Sequence, residues 1–262
     1  MFLEHMNYLQ VEEYLTHDDT ILIPVGSLEN HGKHMPLGTD TLIPNQIAKL
    51  IEERCDVVIA PTVNYGATDD LEGFTGTVSI GVDGLISLLK TICGKFYDYG
   101  FRRFLILNGH GGNSKTIDSV GQWLYRKGAY LARLDWWLIA GEIRPEWRGG
   151  HGGGLETAGI YGVDPSLIKT EYLELGEGIR NDVSEELPSG NWTNVVFKGA
   201  NVAMPRAVRS ITDNGWLAHG MATDPPTKAT LEWGREMLPV MADYVVEFRE
   251  ALKRAKLPKA VK

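Results

Sequence analysis

Four short apolar runs, separated by stretches of helical periodicity, restrict the fold more than any other feature of this chain. They are TILIPV at 20–25, VVIA at 57–60, FLIL at 104–107 and YLARL at 130–134. Runs of this length, stopped by glycine, proline or a polar turn, read as buried strands. Between them, residues 42–54, 85–99 and 114–127 carry apolar groups at helical spacing, with Gly100 and Gly128 placed to end the second and third helices. Strands alternating with helices in this way predict βαβ units and a mainly parallel sheet. The expected architecture is a single α/β domain over 1–262, with a parallel sheet flanked by helices. Pro24 has no N–H to give to a ladder, so the first strand is expected to bend or end there.

Outside these units the pattern is less regular. Residues 7–15 read as a short first helix. The segment 64–83, NYGATDDLEGFTGTVSIGVD, reads as a surface excursion with a short strand at 77–80. A Gly-rich loop at 145–154 leads into a helix starting near Leu155. Residues 176–215, rich in Gly, Asn, Ser and Pro, give a strand signal only at 194–197. A long amphipathic helix is expected over 225–252, interrupted or bent near Pro239, followed by a basic tail that frays.

Composition then removes whole classes of function. The net charge is −8 and no run of five or more like charges occurs, which speaks against a nucleic-acid partner and leaves room only for a small local basic patch. With two cysteines, Cys55 and Cys93, neither a disulfide framework nor a thiolate zinc site can be built. No apolar run approaches the roughly 18 residues of a membrane span, and the N-terminus has no signal-peptide pattern. A reducing, cytoplasmic location is expected.

The chemistry sits in three loops. PVGSLENHGKHMPLGTDTLIP, at 24–44, places Glu29, His31, His34 and Asp40 directly after the first strand. NGHGGN, at 108–113, places His110 after the third strand, and HGGGLET, at 151–157, carries His151 and Glu156. The carboxyl ends of parallel strands lie on one edge of the sheet, so the first two loops can face each other. In an extended segment Glu29 and His31 point the same way and Asn30 the other. Imidazole and carboxylate together suit zinc or manganese. The six groups Glu29, His31, Asp40, His110, His151 and Glu156 are enough for two metal ions with one bridging carboxylate. Such a pair can polarise a carbonyl and generate hydroxide near neutral pH.

GSLENHGKHMPLGTD, LNGHGGN and HGGGLET resemble the three motifs of the creatininase (creatinine amidohydrolase) family. The resemblance runs over roughly residues 20–165 and is weaker beyond. It implies a single α/β domain, a homohexamer and a metal-dependent hydrolase of amide-type C–N bonds with two divalent ions, zinc or manganese. It also implies roles: Glu29 and His110 on one metal, His31 on the other, and Asp40 bridging. Creatininase itself has an acid two residues after the motif histidine, where this chain has Gly112. Family members with a similar third segment imply that Glu156 supplies that ligand, and the resemblance makes His151 the proton shuttle, expected to titrate near neutral pH. His34 is assigned a structural or supporting role.

Two departures bear on the substrate, which is expected to be a small polar molecule. Gly111-Gly112 replaces an aromatic–acid pair, which speaks against creatinine. DDLEGFTGT stands where many relatives carry a histidine and an FPGT segment. Trp136, Trp137 and Trp147 are candidates to line the pocket, with Trp136 and Trp137 taken as substrate-binding, and Arg206 and Arg209 are candidates to meet an anion. The expected reaction is hydrolysis of a cyclic amide or formamide. The alternatives are C–C hydrolysis of a cyclic polyol diketone and a non-catalytic metal- or ligand-binding protein.

Overall fold

The computed structural model describes residues 1–174, 181–190, 192–215 and 224–261. Its centre is a four-stranded sheet of β1 (Thr20–Val25), β2 (Val58–Ile59), β3 (Arg103–Asn108) and β4 (Tyr130–Asp135), in the order β2-β1-β3-β4. All neighbours are parallel, and β1 pairs with β3 from Thr20–Arg103 through Val25–Asn108. The expected parallel α/β domain is therefore found.

Period-two alternation distributes the strand side chains to two cores. Ile21, Ile23 and Val25 of β1, with Phe104 and Ile106 of β3, join one apolar cluster; Leu22, Leu105 and Leu107 join the other. The first cluster is covered by α1 (Tyr8–Leu15), α3 (Gly81–Tyr99) and α4 (Ser114–Arg126). The second is covered by α2 (Thr39–Glu52), α5 (Trp136–Ile143), α6 (Gly154–Val163) and α7 (Leu231–Arg254). Each fully buried Leu or Ile contributes about 1.5–3 kcal/mol, so the two faces together anchor the sheet edge on which the loops stand.

Several expectations need correction. Pro24 does not end β1; the strand continues to Val25 with Pro24 opposite Leu107. The missing N–H falls on the β2 side, where β2 has already stopped at Ile59. There the Pro24 carbonyl still accepts from the Val63 N–H at 3.0 Å, and Gly26 donates to the Val63 carbonyl at 2.8 Å. Helix α2 starts at Thr39, three residues before its periodicity becomes apolar, which puts Asp40 in its first turn. Residues 136–143 form a helix that the two tryptophans had hidden. Thr77–Ile80 is not a strand but a single bridge, Val78 to Leu28. The signal at 194–197 is one arm of a hairpin, β5 (Val195–Phe197) with β6 (Ala200–Val202).

Helix α7 begins at Leu231, because Pro225 and Pro226 open a separate 3-10 turn, and Thr230 caps it by accepting from the Trp233 N–H. It is not interrupted at Pro239. The tail does not fray: Val261 donates to the Arg126 carbonyl at 2.9 Å. At the sheet edge opposite the loops, Arg249 of α7 is buried with Asp18, and Lys253 reaches the same carboxylate at 3.0 Å. No helix among the described residues is long and apolar enough to cross a membrane.

Candidate metal centre

Because β1 and β3 are neighbours in register, the loops that leave Val25 and Asn108 emerge side by side. The first turn of α2 presses down between them. A Cβ on Gly109 would lie 1.9 Å from the Asp40 carbonyl oxygen, so only glycine lets that turn sit so low. The expected alternation holds. Glu29 and His31 point inward, while Asn30 points outward to the Asn214 carbonyl at 3.0 Å. The third loop arrives through α6, whose first turn carries Glu156, and the loop before it carries His151.

These elements bring all six predicted groups together. Glu29, Asp40 and His110 form one set, His31, Asp40 and Glu156 a second, and Glu29, His31 and His151 a third, with donor atoms within 4.8 Å of one another in each. Asp40 reaches His31 Nε2 with Oδ1 at 2.9 Å and lies 3.2 Å from His110 Nδ1 with Oδ2. Glu29 Oε1 is 3.1 Å from His110 Nδ1 and 3.6 Å from His151 Nδ1, and Glu156 Oε2 is 3.7 Å from His31 Nε2. Glu29 and His31 are 0 and 1 % exposed and Asp40 2 %, so water cannot carry these charges.

Each of the three histidines spends one ring nitrogen on a backbone carbonyl. His31 Nδ1 faces the Glu29 carbonyl, His110 Nε2 that of Ala67, and His151 Nε2 that of Asn30, at 3.1, 3.1 and 2.8 Å. A carbonyl can only accept, so these bonds fix the N–H there and turn the other nitrogen toward the carboxylates. Glu29 is held further by Ser27 Oγ on its Oε2 at 2.9 Å, which leaves Oε1 aimed into the centre. Glu29 Oε1 and Asp40 Oδ2 are buried without a hydrogen-bond partner. Orphaned carboxylate oxygens opposite imidazole nitrogens are the donor set of a zinc or manganese site, and the residues present fit such ions.

The electrostatics follow from that crowding. Burial pushes His31 toward neutrality, but Asp40, Glu156 and Glu29 outweigh it and raise it to about 10. Burial also opposes a charge on His110, yet Glu29 and Asp40 lift it well above its usual value. His151 goes the other way: burial, reinforced by His31, lowers it to about 3. Glu156 rises to about 7, mainly through burial, with His31 opposing and Asp40 adding to the rise. Without cations, then, the carboxylates keep His31 and His110 protonated and His151 stays neutral.

Gly112 has a steric reason to be glycine. A Cβ there would lie 2.2 Å from the Ala67 carbonyl oxygen and 2.4 Å from His110 Nε2, so an acid at this position would displace His110. Its place beside His31 is taken by Glu156, which accepts from the Gly152 N–H at 2.7 Å.

A cavity of about 500 Å³ opens on the centre, bordered by Glu29, Asp40, His110, His151 and Glu156. Trp137 borders it, as expected. Trp136 does not: it is 1 % exposed, part of the core, and no substrate-binding group. Trp147 is also core, with the Arg144 guanidinium 4.4 Å over its ring. Arg206 donates to Ser189 and to backbone carbonyls, and Arg209 donates to the Asp213 carbonyl; neither borders the cavity. His34 is buried against Thr157 at 3.0 Å, and burial lowers it to about 4, consistent with a structural place.

Three residues were missed in the sequence. Trp192 borders the cavity from an irregular segment that gave no signal, and Asp70 from the polar excursion. Asp224 accepts from the N–H groups of Gly150 and Leu155 at 3.3 and 3.2 Å and so ties down the loop bearing His151. Only the acidic residue before Pro225-Pro226 could have hinted at it.

Comparison with known proteins agrees with this geometry. Residues 4–249 match the family profile "Creatininase: Creatinine amidohydrolase". The chain is 35% identical to the mycofactocin precursor peptide peptidase of Mycolicibacterium smegmatis over 162 residues, 60% of this chain and 62% of that protein, just under two thirds of its length. It is 30% identical to the protein of that name from Mycobacterium ulcerans over 236 residues, 87% of this chain and 83% of the other. The solved structure "Creatininase Mn" superposes with a TM-score of 0.74 at 22% identity, covering 97% of this chain and 99% of that one, a likeness of fold. The chain thus belongs to the creatininase family and is a hydrolase.

Proposed function

We propose that this hydrolase holds two divalent metal ions, zinc or manganese, and cleaves an amide C–N bond in a small polar molecule. The observation that carries this is the set of three histidines, each anchored on a carbonyl and turned toward buried carboxylate oxygens. Glu29, His110 and Asp40 would hold one ion, and His31, Asp40 and Glu156 the other, with Asp40 shared. The bound ions would polarise the scissile carbonyl and acidify the attacking water.

This chain's own residues supply the rest. Asp40, fixed in the first turn of α2, orients the water that adds to the carbonyl carbon. The Asn30 carbonyl holds the N–H of His151 on Nε2, which leaves Nδ1 to accept a proton. His151 then passes that proton to the departing nitrogen. Amide and water become carboxylate and protonated amine.

The amide reading is favoured over C–C cleavage of a polyol diketone by the cavity wall. Trp137, Leu138, Leu155 and Trp192 give it apolar surface for an acyl or amine substituent, while Asp70 is, among the described residues, the one polar side chain on the wall outside the candidate ligands and His151. The relatives named above act, by their names, on a precursor peptide, which supports the same bond type. Cyclic amides, formamides and short peptides are the candidate substrates, and a cytoplasmic homohexamer completes the proposal. The test is a screen of these classes with zinc- and manganese-loaded protein, before and after chelation. Amide hydrolysis that chelation abolishes and metal restores is expected; hydrolysis unaffected by chelation would contradict it.

A further inference from the structure

The cavity has a wall that neither the metal ligands nor the proton shuttle uses. It is built where the 69–76 loop meets the irregular segment after residue 181. Leu71 and Phe74 of the loop pack with Val208, Ile211 and Trp192 in a separate apolar cluster. Trp192 joins the two sides of this wall. Its Nε1 donates to Asp70 Oδ2 at 2.5 Å, and its indole meets the His151 ring edge-on at 5.2 Å. Asp70 therefore lies on the same side of the cavity as the group that would protonate the leaving nitrogen.

Asp70 has no place in the three potential metal sets. Yet it borders the same cavity as Glu29, Asp40 and Glu156, and no lysine or arginine is among the described residues that border it. Among the described residues, Arg209, beside Gly73, lies over the Phe74 ring and donates to the Asp213 carbonyl, and Arg206 donates to Asn181, Ser189 and Asn194. A half-buried carboxylate in this setting is stabilised by a donor or a cation and destabilised by a second anion. Two divalent ions would balance the charge of Glu29, Asp40, Glu156 and Asp70 together, with Asp70 as the one carboxylate left for the substrate.

We propose that Asp70, positioned by Trp192, selects substrates by charge: the leaving-group side of the amide is neutral or cationic, and a phosphate or carboxylate there is rejected. This rests on the amide-hydrolase reading and adds the substrate class. It is tested by binding, with formanilide, 4-(aminomethyl)formanilide and 4-formamidobenzoate as probes, which carry their charge on the amine side of the amide, titrated into metal-free and zinc-loaded protein by calorimetry. In the wild type the ammonium probe is expected to bind at least about tenfold more tightly than the carboxylate probe, the scale of one partly buried unit charge. Asp70→Asn should shrink that ratio by about tenfold, Asp70→Glu should keep it, and bound metal should stay constant in both.

An unchanged ratio in Asp70→Asn, a loss of metal in that variant, or no binding of any probe to the wild type would overturn the proposal. If Asp70→Asn does not fold, salt decides. The wild-type ratio must contract as ionic strength rises, and a salt-independent ratio overturns the idea. Absence of metal or of amide hydrolysis would sink the hydrolase reading, yet the ratio in the metal-free protein would still be measured.

Discussion

Asp40 is the residue on which most of the centre converges. It faces His31 with one oxygen and His110 with the other, and both contacts depend on α2 starting early and low over Gly109. Asp224 matters as much, though it never touches the centre. Its carboxylate answers two backbone N–H groups of the loop that carries His151. Removing it leaves the Leu155 N–H buried and unsatisfied, at about 1–3 kcal/mol, and frees the half-buried Gly150 N–H. Asp224→Ala is therefore expected to lower the melting temperature and to reduce kcat about tenfold or more, with KM changed little, because the shuttle rather than the pocket is loosened. Steady-state kinetics with thermal melts checks this; full activity would show that the loop holds its shape unaided.

At the scale of elements, the pairing of α6 and α7 sets where Glu156 stands. Gly234 of α7 touches α6 so closely that an added Cβ would lie 2.0 Å from the Ala158 carbonyl oxygen. Gly234→Val should push the helices apart, costing about 1–3 kcal/mol as overpacking does, and should weaken metal retention at the His31–Glu156 side first. Chemical denaturation alongside metal titration reads both effects.

The strands and most helices were legible because their apolar runs match the periods of two and 3.6. What escaped had no period to show. Helix α5 is short and begins with two tryptophans, and Pro24 obeys a rule whose exception depends on where β2 stops. In the site, the six candidate ligands were legible from residue type and position after strands. Trp192 and Asp70 were not, because their convergence depends on how two irregular segments fold against each other. Trp136 and Trp137 could not be told apart in sequence. One faces the core and the other the cavity, and only the direction of α5 decides.

For the whole molecule, the edge opposite the site limits stability in acid. Burial would raise Asp18, but Lys253, Thr20 and Arg249 outweigh it and hold the carboxyl below its usual value. A lowered folded pKa gives stability that is complete above the ordinary carboxylate range and is lost as pH falls through and below it. Melts from pH 7 down to about pH 3 should show a decline that Asp18→Asn flattens. Asp18→Ala, which leaves Arg249 only the more exposed carboxylates of Asp56 and Glu250, should cost about 1–3 kcal/mol at neutral pH. An unaltered acid limb in Asp18→Asn would place the sensitive group elsewhere.

The proposed function stands on a pair of metal ions held around one shared carboxylate. Metal content per chain, measured on protein loaded with zinc or manganese and then gel-filtered, tests it most directly. About two ions are expected in the wild type, about one in His110→Ala and in Glu156→Ala, and close to none in Asp40→Ala. A wild type that retains no stoichiometric metal, or an Asp40→Ala protein that still holds two, would contradict it.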